Sequence, residues 1–199
     1  MPHRPLELPE AWLRDQRIET ELRGQRLSLV TTWGLFSPKA IDAGSALLLE
    51  HLHVEPQDRC LDLGCGYGVL GLTVARLAPQ GRVTLVDKDF VAVEYSRKNA
   101  EGNGVTNVDV VLGNGLSALL DRRFDLIVSN VPAKVGKELW RILLHDAWHA
   151  LEPGGRIVFV TINGLRAFIK RAFVETFGNY EKLKQGKTYT VAMARKDGG

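Results

Sequence analysis

From residue 58 onward, short apolar runs alternate with stretches of helical periodicity. "RCLDL" precedes "GVLGLTVARLA", and "RVTLVD" precedes "DFVAVEYSRKNAEGN". "VDVVLG" precedes a short helical "LSALL", "FDLIVS" precedes "GKELWRILLHDAWHAL", and "GRIVFVTI" precedes "LRAFIKRAFVETF". The apolar runs are rich in Val, Ile and Leu, as in strands of a parallel sheet covered on both faces. Strand-helix alternation predicts a doubly wound α/β fold with right-handed crossovers. Both ends of the chain depart from this pattern. "IETELRGQRLSLVTT" alternates polar and apolar residues on either side of Arg23-Gly24, which predicts a β-hairpin. A short helical pattern covers Ala11 to Gln16, and Ser37 with Pro38 suits the start of a later helix. Gly44 weakens that helix, so it starts late or its backbone is closely approached there. "NYEKLKQGKTYTVAMARK" predicts a second hairpin about Gln185-Gly186, so at least one final strand runs antiparallel.

Composition narrows the class without naming it. The chain has 199 residues, enough for one domain with a full core, and is 45% hydrophobic and 25% charged. No stretch approaches the roughly 20 apolar residues of a membrane span. "MPHRPLELPE" lacks the apolar core of an export signal, so the cytoplasm is the expected location. Cys60 and Cys65 read as reduced thiols, and they and five scattered histidines give no zinc-ligand spacing. Net charge is +3, which permits an anionic partner and does not require one.

The densest local signal is "LDLGCGYGVLG". A buried strand ends at Asp62-Leu63, and Gly64, Gly66 and Gly68 then permit a tight turn and close backbone approach by a ligand. A helix begins near Gly68 with its partly positive N–H groups facing the turn. In a doubly wound sheet this is where ligands bind. Gly66-x-Gly68-x-x-Gly71 also satisfies the dinucleotide fingerprint, a weak sign taken alone. The carboxylate of Asp62 would repel a pyrophosphate but suits a ligand with a positive amino group. Asp87 ends the next strand at about the distance for a carboxylate on ribose hydroxyls, and would otherwise be a helix cap. Phe90 could pack on a flat base or belong to the core. Asn114, in "GNGL", offers the donor and acceptor that read an adenine edge, or is a simple turn residue.

Together these residues resemble the class I S-adenosylmethionine-dependent methyltransferases. "DLGCGYG" matches their first motif, Asp87 their ribose acid, and "LEPGGRIVFV" the turn into their fifth strand. "LRGQRLSLVTTWGLFSPKAIDAGSALLLEHL" is similar to the lead-in of the methyltransferase small domain family, which includes bacterial guanine-N2 methyltransferases of ribosomal RNA. The likeness runs from about residue 18 to 196. It implies a mostly parallel, seven-stranded Rossmann-like sheet with an antiparallel C-terminal strand. The expected division is residues 1–36 as an N-terminal extension and hairpin packed on the core, and 37–199 as the methyltransferase domain. Two-domain members of the family carry a further N-terminal domain, so this chain corresponds to the catalytic half, as in compact members. The implied cofactor is S-adenosyl-L-methionine, held by Asp62, Gly64, Cys65, Gly66, Gly68, Asp87, Lys88, Asn114, Gly115 and Asn130.

The fourth strand of this family ends in Asn-Pro-Pro-aromatic; here the stretch is Asn130-Val131-Pro132-Ala133. An exocyclic amine is a poor nucleophile because its lone pair is delocalised into the ring. If the Asn130 side-chain oxygen and the Val131 carbonyl each accept one N–H, the lone pair is aimed and the developing charge is stabilised. Pro132 pushes Val131 toward an extended conformation and so helps aim that carbonyl. Asn130, Val131 and Pro132 are therefore the candidate catalytic residues. Val131 replaces the first proline. Ala133 replaces the stacking aromatic, worth about 1–3 kcal/mol per base. Trp33 and Phe36 are candidates to cover the site in its place, whereas Trp140 reads as core. Lys134, Lys137 and Arg141 follow the motif, the latter two on one helix face, where they could hold a phosphate backbone. Lys182, Lys184 and Lys187 form a second basic strip. Solvated faces remain open for both.

The expected function is N-methylation of an exocyclic amine on an RNA base, foremost guanine N2 of ribosomal RNA, with RNA as partner and no metal or membrane. A protein glutamine amide or small-molecule amine as acceptor is the second enzyme reading. A SAM-binding RNA-interaction module without catalysis is the third, and a dehydrogenase the last.

Overall fold

The computed structural model describes residues 9, 10, 14–131 and 136–198. Strands β1 (Gln16–Leu22) and β2 (Gln25–Thr31) form the N-terminal antiparallel hairpin. Arg23 and Gly24 turn it, with φ of 54° and 75°. Two left-handed central residues match the right-handed strand twist. Helix α1 (Ala43–His51) leads into the main sheet. Its strands are β3 (Arg59–Leu63), β4 (Arg82–Asp87), β5 (Val108–Leu112), β6 (Phe124–Asn130), β7 (Leu151–Ile162), β8 (Glu181–Gln185) and β9 (Tyr189–Arg195). Between them run α2 (Val69–Leu77), α3 (Phe90–Gly102), α4 (Lys137–Ala150) and α5 (Arg166–Phe177). The seven strands lie in the order β5-β4-β3-β6-β7-β9-β8. Only β9 opposes the others, pairing antiparallel with β7 and β8.

Strand parity builds two cores. Cys60, Val83, Leu85, Leu126 and Val128 pack on one face against Leu48, Leu49, Leu72 and Val74 of α1 and α2. Their chain neighbours Leu61, Val86 and Ile127 face the other way, against Trp140 and Leu144 of α4 and Phe173 of α5. Burying each such side chain contributes about 1.5–3 kcal/mol, which is why both sheet faces must be covered. Parity also aims the functional groups. Asp62 shares its face with Cys60, and Asn130 with Leu126 and Val128, so both side chains leave the sheet on the α1–α2 side.

The hairpin is held by side chains that mimic backbone. Asn99 accepts the Val30 N–H (2.7 Å) and donates to the Val30 carbonyl (2.8 Å). One helical turn on, Asn103 does the same for Ser28, at 2.8 Å each way. Two residues apart on β2 equals one turn of α3, so a helix supplies the outward-facing ladder of a strand. Arg23 donates to the carbonyls of Leu49 (2.8 Å) and Leu52 (2.6 Å), satisfying the end of α1.

Four expectations need correction. Ser37 does not cap a helix: its φ is 50° and its hydroxyl bonds the Ala40 carbonyl. The helix starts late, at Ala43, with Asp42 as its cap. "LSALL" forms turns, with Leu119 N–H bonded to the Leu116 carbonyl. Five residues are too few to offset helix nucleation. Gln16 begins β1, paired with Thr31, and does not end a helix; Ala11 to Leu13 lie outside the described residues. Phe90 is exposed and belongs to neither core, because it opens α3 on the solvent side.

Candidate active site

The glycine turn is folded over the end of β4. Gly64 and Cys65 both donate backbone N–H to the Val86 carbonyl, at 2.9 and 3.0 Å. Gly64, Gly66 and Gly68 have φ of 78°, 55° and 95°, which other residues adopt only with strain. Gly71 serves a different need: a Cβ there would lie 2.5 Å from Leu85 Cγ, so α2 lies directly on β4. Above the turn is a cavity of about 510 Å³ between the carboxyl ends of β3, β4 and β6. Asp62, Gly64, Cys65, Gly66, Asp87, Lys88, Asn114, Gly115, Asn130 and Val131 all line it, whereas Gly68 sits just beneath as the α2 cap.

Two carboxylates occupy this floor in different states. Asp87 is tied down: one oxygen accepts the Gly66 N–H (2.9 Å), the other the Asp89 N–H (3.0 Å). Asp62 is 1% exposed. One oxygen accepts the Gly71 N–H at 2.7 Å; the other is buried without a partner. Burial above all, with the charge of Asp87, pushes its carboxyl up to about 7, against the pull of the Gly71 bond. An orphaned buried carboxylate oxygen in a cavity wall suits a cationic donor group. Burial also raises the Cys65 thiol, which stays protonated against Ser96 Oγ (3.5 Å), so it is no nucleophile.

Asn130 is held at the end of β6, the strand beside β3. Its Nδ2 donates to Asp42 Oδ2 (2.7 Å) and meets Ser45 Oγ (2.9 Å). Asp42 is itself fixed, accepting the Ser45 N–H (3.0 Å) and the Tyr189 hydroxyl (3.1 Å). Ser129 Oγ donates to the Leu63 carbonyl (2.6 Å), tying the end of β6 to the glycine turn. Buried Val131 continues the strand, its N–H bonded to the Val160 carbonyl (3.2 Å). Tyr67 donates to the Ser37 carbonyl (3.2 Å); burial, then the charge of Asp42, push its phenol up to about 12. Asp42, Ser45, Tyr67 and Tyr189 were not singled out from the sequence. Asp42-x-Gly44-Ser45 carried a usable sign, an acid with a serine three residues on, at a helix start.

The remaining candidates divide. Phe36 is 64% exposed and lines the cavity; Trp33 is 66% exposed and lies outside the lining. Trp140 is core, edge-on to Phe159 and Phe168, with one side against the cavity. Arg141 is exposed and 3.5 Å from Glu175. Lys182, Lys184 and Lys187 are exposed on the C-terminal hairpin. Lys137 opens α4, and Pro132, Ala133 and Lys134 lie outside the described residues. Among the described residues no group of three His, Cys, Asp or Glu could hold a metal ion, and no helix is long and apolar enough to cross a membrane.

The family model of the methyltransferase small domain matches residues 26–193. The chain is 40% identical over 155 residues to ribosomal RNA small subunit methyltransferase C of Pseudomonas entomophila, covering 76% of this chain and 46% of that protein. It is 38% identical over 178 residues to the Cronobacter sakazakii protein of the same name, covering 85% and 50%. The chain thus spans about half the length of these curated relatives. Among solved structures, the T. thermophilus 16S rRNA N2 G1207 methyltransferase, in complex with AdoMet and guanosine, matches with a TM-score of 0.83 and 30% identity. That match covers 92% of this chain and 50% of the other.

Proposed function

The chain belongs to the methyltransferase small domain family, and from that premise we propose that it is an S-adenosyl-L-methionine-dependent N-methyltransferase whose acceptor is guanine N2 of ribosomal RNA. Ribosomal RNA is the partner in this reading, and the cytoplasm the place. The observation that carries it is the pairing, in the lining of one cavity, of an unpartnered buried Asp62 oxygen with an Asn130 amide anchored through its nitrogen.

The donor set fits the cofactor. Asp62 would take its ammonium, the turn of Gly64, Cys65, Gly66 and Gly68 would lie against it, and Asp87 with Lys88 would face the ribose. Asn114 and Gly115 would border the adenine. When bound, the cofactor supplies a methyl group on a sulfonium centre. The protein's own work is to deliver the nucleophile. Asn130 presents its side-chain oxygen to one N–H of the amine, and the Val131 carbonyl takes the other, with Pro132 limiting the backbone. Two acceptors aim the nitrogen lone pair and oppose the positive charge that develops on it. No strong base is needed before transfer, since the proton leaves once the nitrogen is alkylated. Phe36 at the cavity edge offers the flat apolar face that Ala133 does not supply. Trp33 can join it only if the base extends past the cavity rim. Arg141 and Lys137 on α4, with Lys134, would hold the flanking phosphates.

Incubation with methyl-labelled S-adenosyl-L-methionine and ribosomal RNA, followed by digestion to nucleosides, tests the proposal. N2-methylguanosine should carry the label, and Asn130→Ala should lower the rate by about 100-fold. Label appearing only in protein or small amines would overturn the RNA assignment. The absence of an aromatic at position 133 favours that second reading, methylation of a glutamine amide, and the same incubation with total protein decides it.

A further inference from the structure

We propose that Asp42 is a positioning residue that decides which end of the Asn130 amide faces the acceptor amine. This rests on the proposed role of the Asn130 oxygen. An amide has chemically opposite ends of nearly equal size. Turned the wrong way, Asn130 would present N–H donors to an N–H substrate. Its two neighbours on the α1 side differ in what they tolerate. Ser45 Oγ, 2.9 Å away, can donate or accept and so accommodates either end. Asp42 Oδ2, 2.7 Å away, can only accept, so it admits the nitrogen and repels the oxygen.

The carboxylate is itself immobilised from three elements. The Ser45 N–H at the start of α1 and the Asn130 amide at the end of β6 both reach Oδ2. The Tyr189 hydroxyl at the start of β9 reaches Oδ1. Space for it is left by Gly44, where a Cβ would stand 2.8 Å from Oδ2 and 3.0 Å from the Tyr189 ring.

Two substitutions separate positioning from the other duties of Asp42. Asp42→Asn can place its oxygen at the Oδ2 site and its amide toward the Tyr189 hydroxyl, so the Asn130 orientation survives. The kcat of this variant should stay within about 5-fold of the parent. Asp42→Ser still caps α1 but is too short to reach Asn130. Its kcat should fall about 100-fold, with Kd for S-adenosyl-L-methionine and KM for RNA little changed. A second readout needs no turnover: the Asn130 side-chain amide resonances, assigned by their loss in Asn130→Ala. Their hydrogen exchange should be slow in the parent and in Asp42→Asn and fast in Asp42→Ser. Equal kcat and equal exchange in the two variants would reduce Asp42 to a helix cap. Loss of kcat in Asp42→Asn as deep as in Asp42→Ser would make charge, not orientation, the property that matters. Both results overturn the inference. If the parent protein transfers nothing to RNA, the substrate assignment fails, and the exchange rates still decide the role of Asp42.

Discussion

Asp62 illustrates how much a single buried side chain can report. Its carboxyl moves from an ordinary value near 3.8 to about 7, so the folded protein holds a proton that the unfolded chain releases. Below the unfolded value the two states are alike; as pH rises toward and through 7, stability is lost. A rise of that size corresponds to a penalty of roughly 4 kcal/mol once the group is fully ionised. Asp62→Asn keeps an acceptor for the Gly71 N–H and removes the titration. Melting temperature followed from pH 5 to pH 8 should therefore fall in the parent and stay flatter in the variant. The same variant should bind S-adenosyl-L-methionine about 10-fold more weakly or worse, because an amide cannot pair with an ammonium as a carboxylate does. Calorimetry checks this; unchanged affinity would remove Asp62 from the cofactor site. Asp62 was legible beforehand because strand, acid and glycines are contiguous. The contact of Asp42 with Asn130 was not: a helix-start sign marks Asp42 itself, but the partners are 88 residues apart and nothing local in either segment announces their meeting.

At the scale of elements, the alternating grammar of strands and helices predicted the main sheet closely, and β3 and β4 occupy the runs "RCLDL" and "RVTLVD". Failures cluster where local signals are short or compete. "LSALL" has helical residues but too few, and Ser37-Pro38 looks like a cap although the real one lies five residues on. The apolar side of the hairpin was legible, since Leu27 and Leu29 alternate with polar residues and are buried in the core, whereas its hydrogen-bonded docking on α3 left no sign that hydrophobic patterning could detect, because it is made by two asparagines. Replacing Asn99 and Asn103 together by Ala leaves the N–H and carbonyl groups of Ser28 and Val30 without these partners. Each group deprived of a buried partner costs about 1–3 kcal/mol. The double variant should lose amide-exchange protection across β2 before it loses that of β3 or β6. Because Asn99 also donates to the Tyr67 carbonyl (2.8 Å), the glycine turn should loosen with it, and cofactor affinity should drop. Uniform loss of protection across the whole chain would mean that the hairpin is not a separate cooperative unit.

For the molecule as a whole, a net charge of +3 is modest, so RNA attraction must come from where the charges sit. The exposed Lys182, Lys184 and Lys187 lie on the hairpin whose second strand brings Tyr189 to the cavity. Changing all three to Ala should weaken RNA binding at low salt and flatten its dependence on salt. The log–log slope should shrink by up to about 0.7–0.9 for each phosphate that the protein no longer neutralises. An unchanged slope would leave this strip as solvated surface. The hairpin at the other end of the chain has a consequence in time. Strand β2 leaves the ribosome about 70 residues ahead of the two asparagines that close its outer side. During that interval its apolar residues and bare peptide groups are a template for any passing extended chain. Slow translation through this region, or crowding of nascent copies, should therefore favour aggregates seeded by residues 25–31, a hazard that ends once α3 has formed.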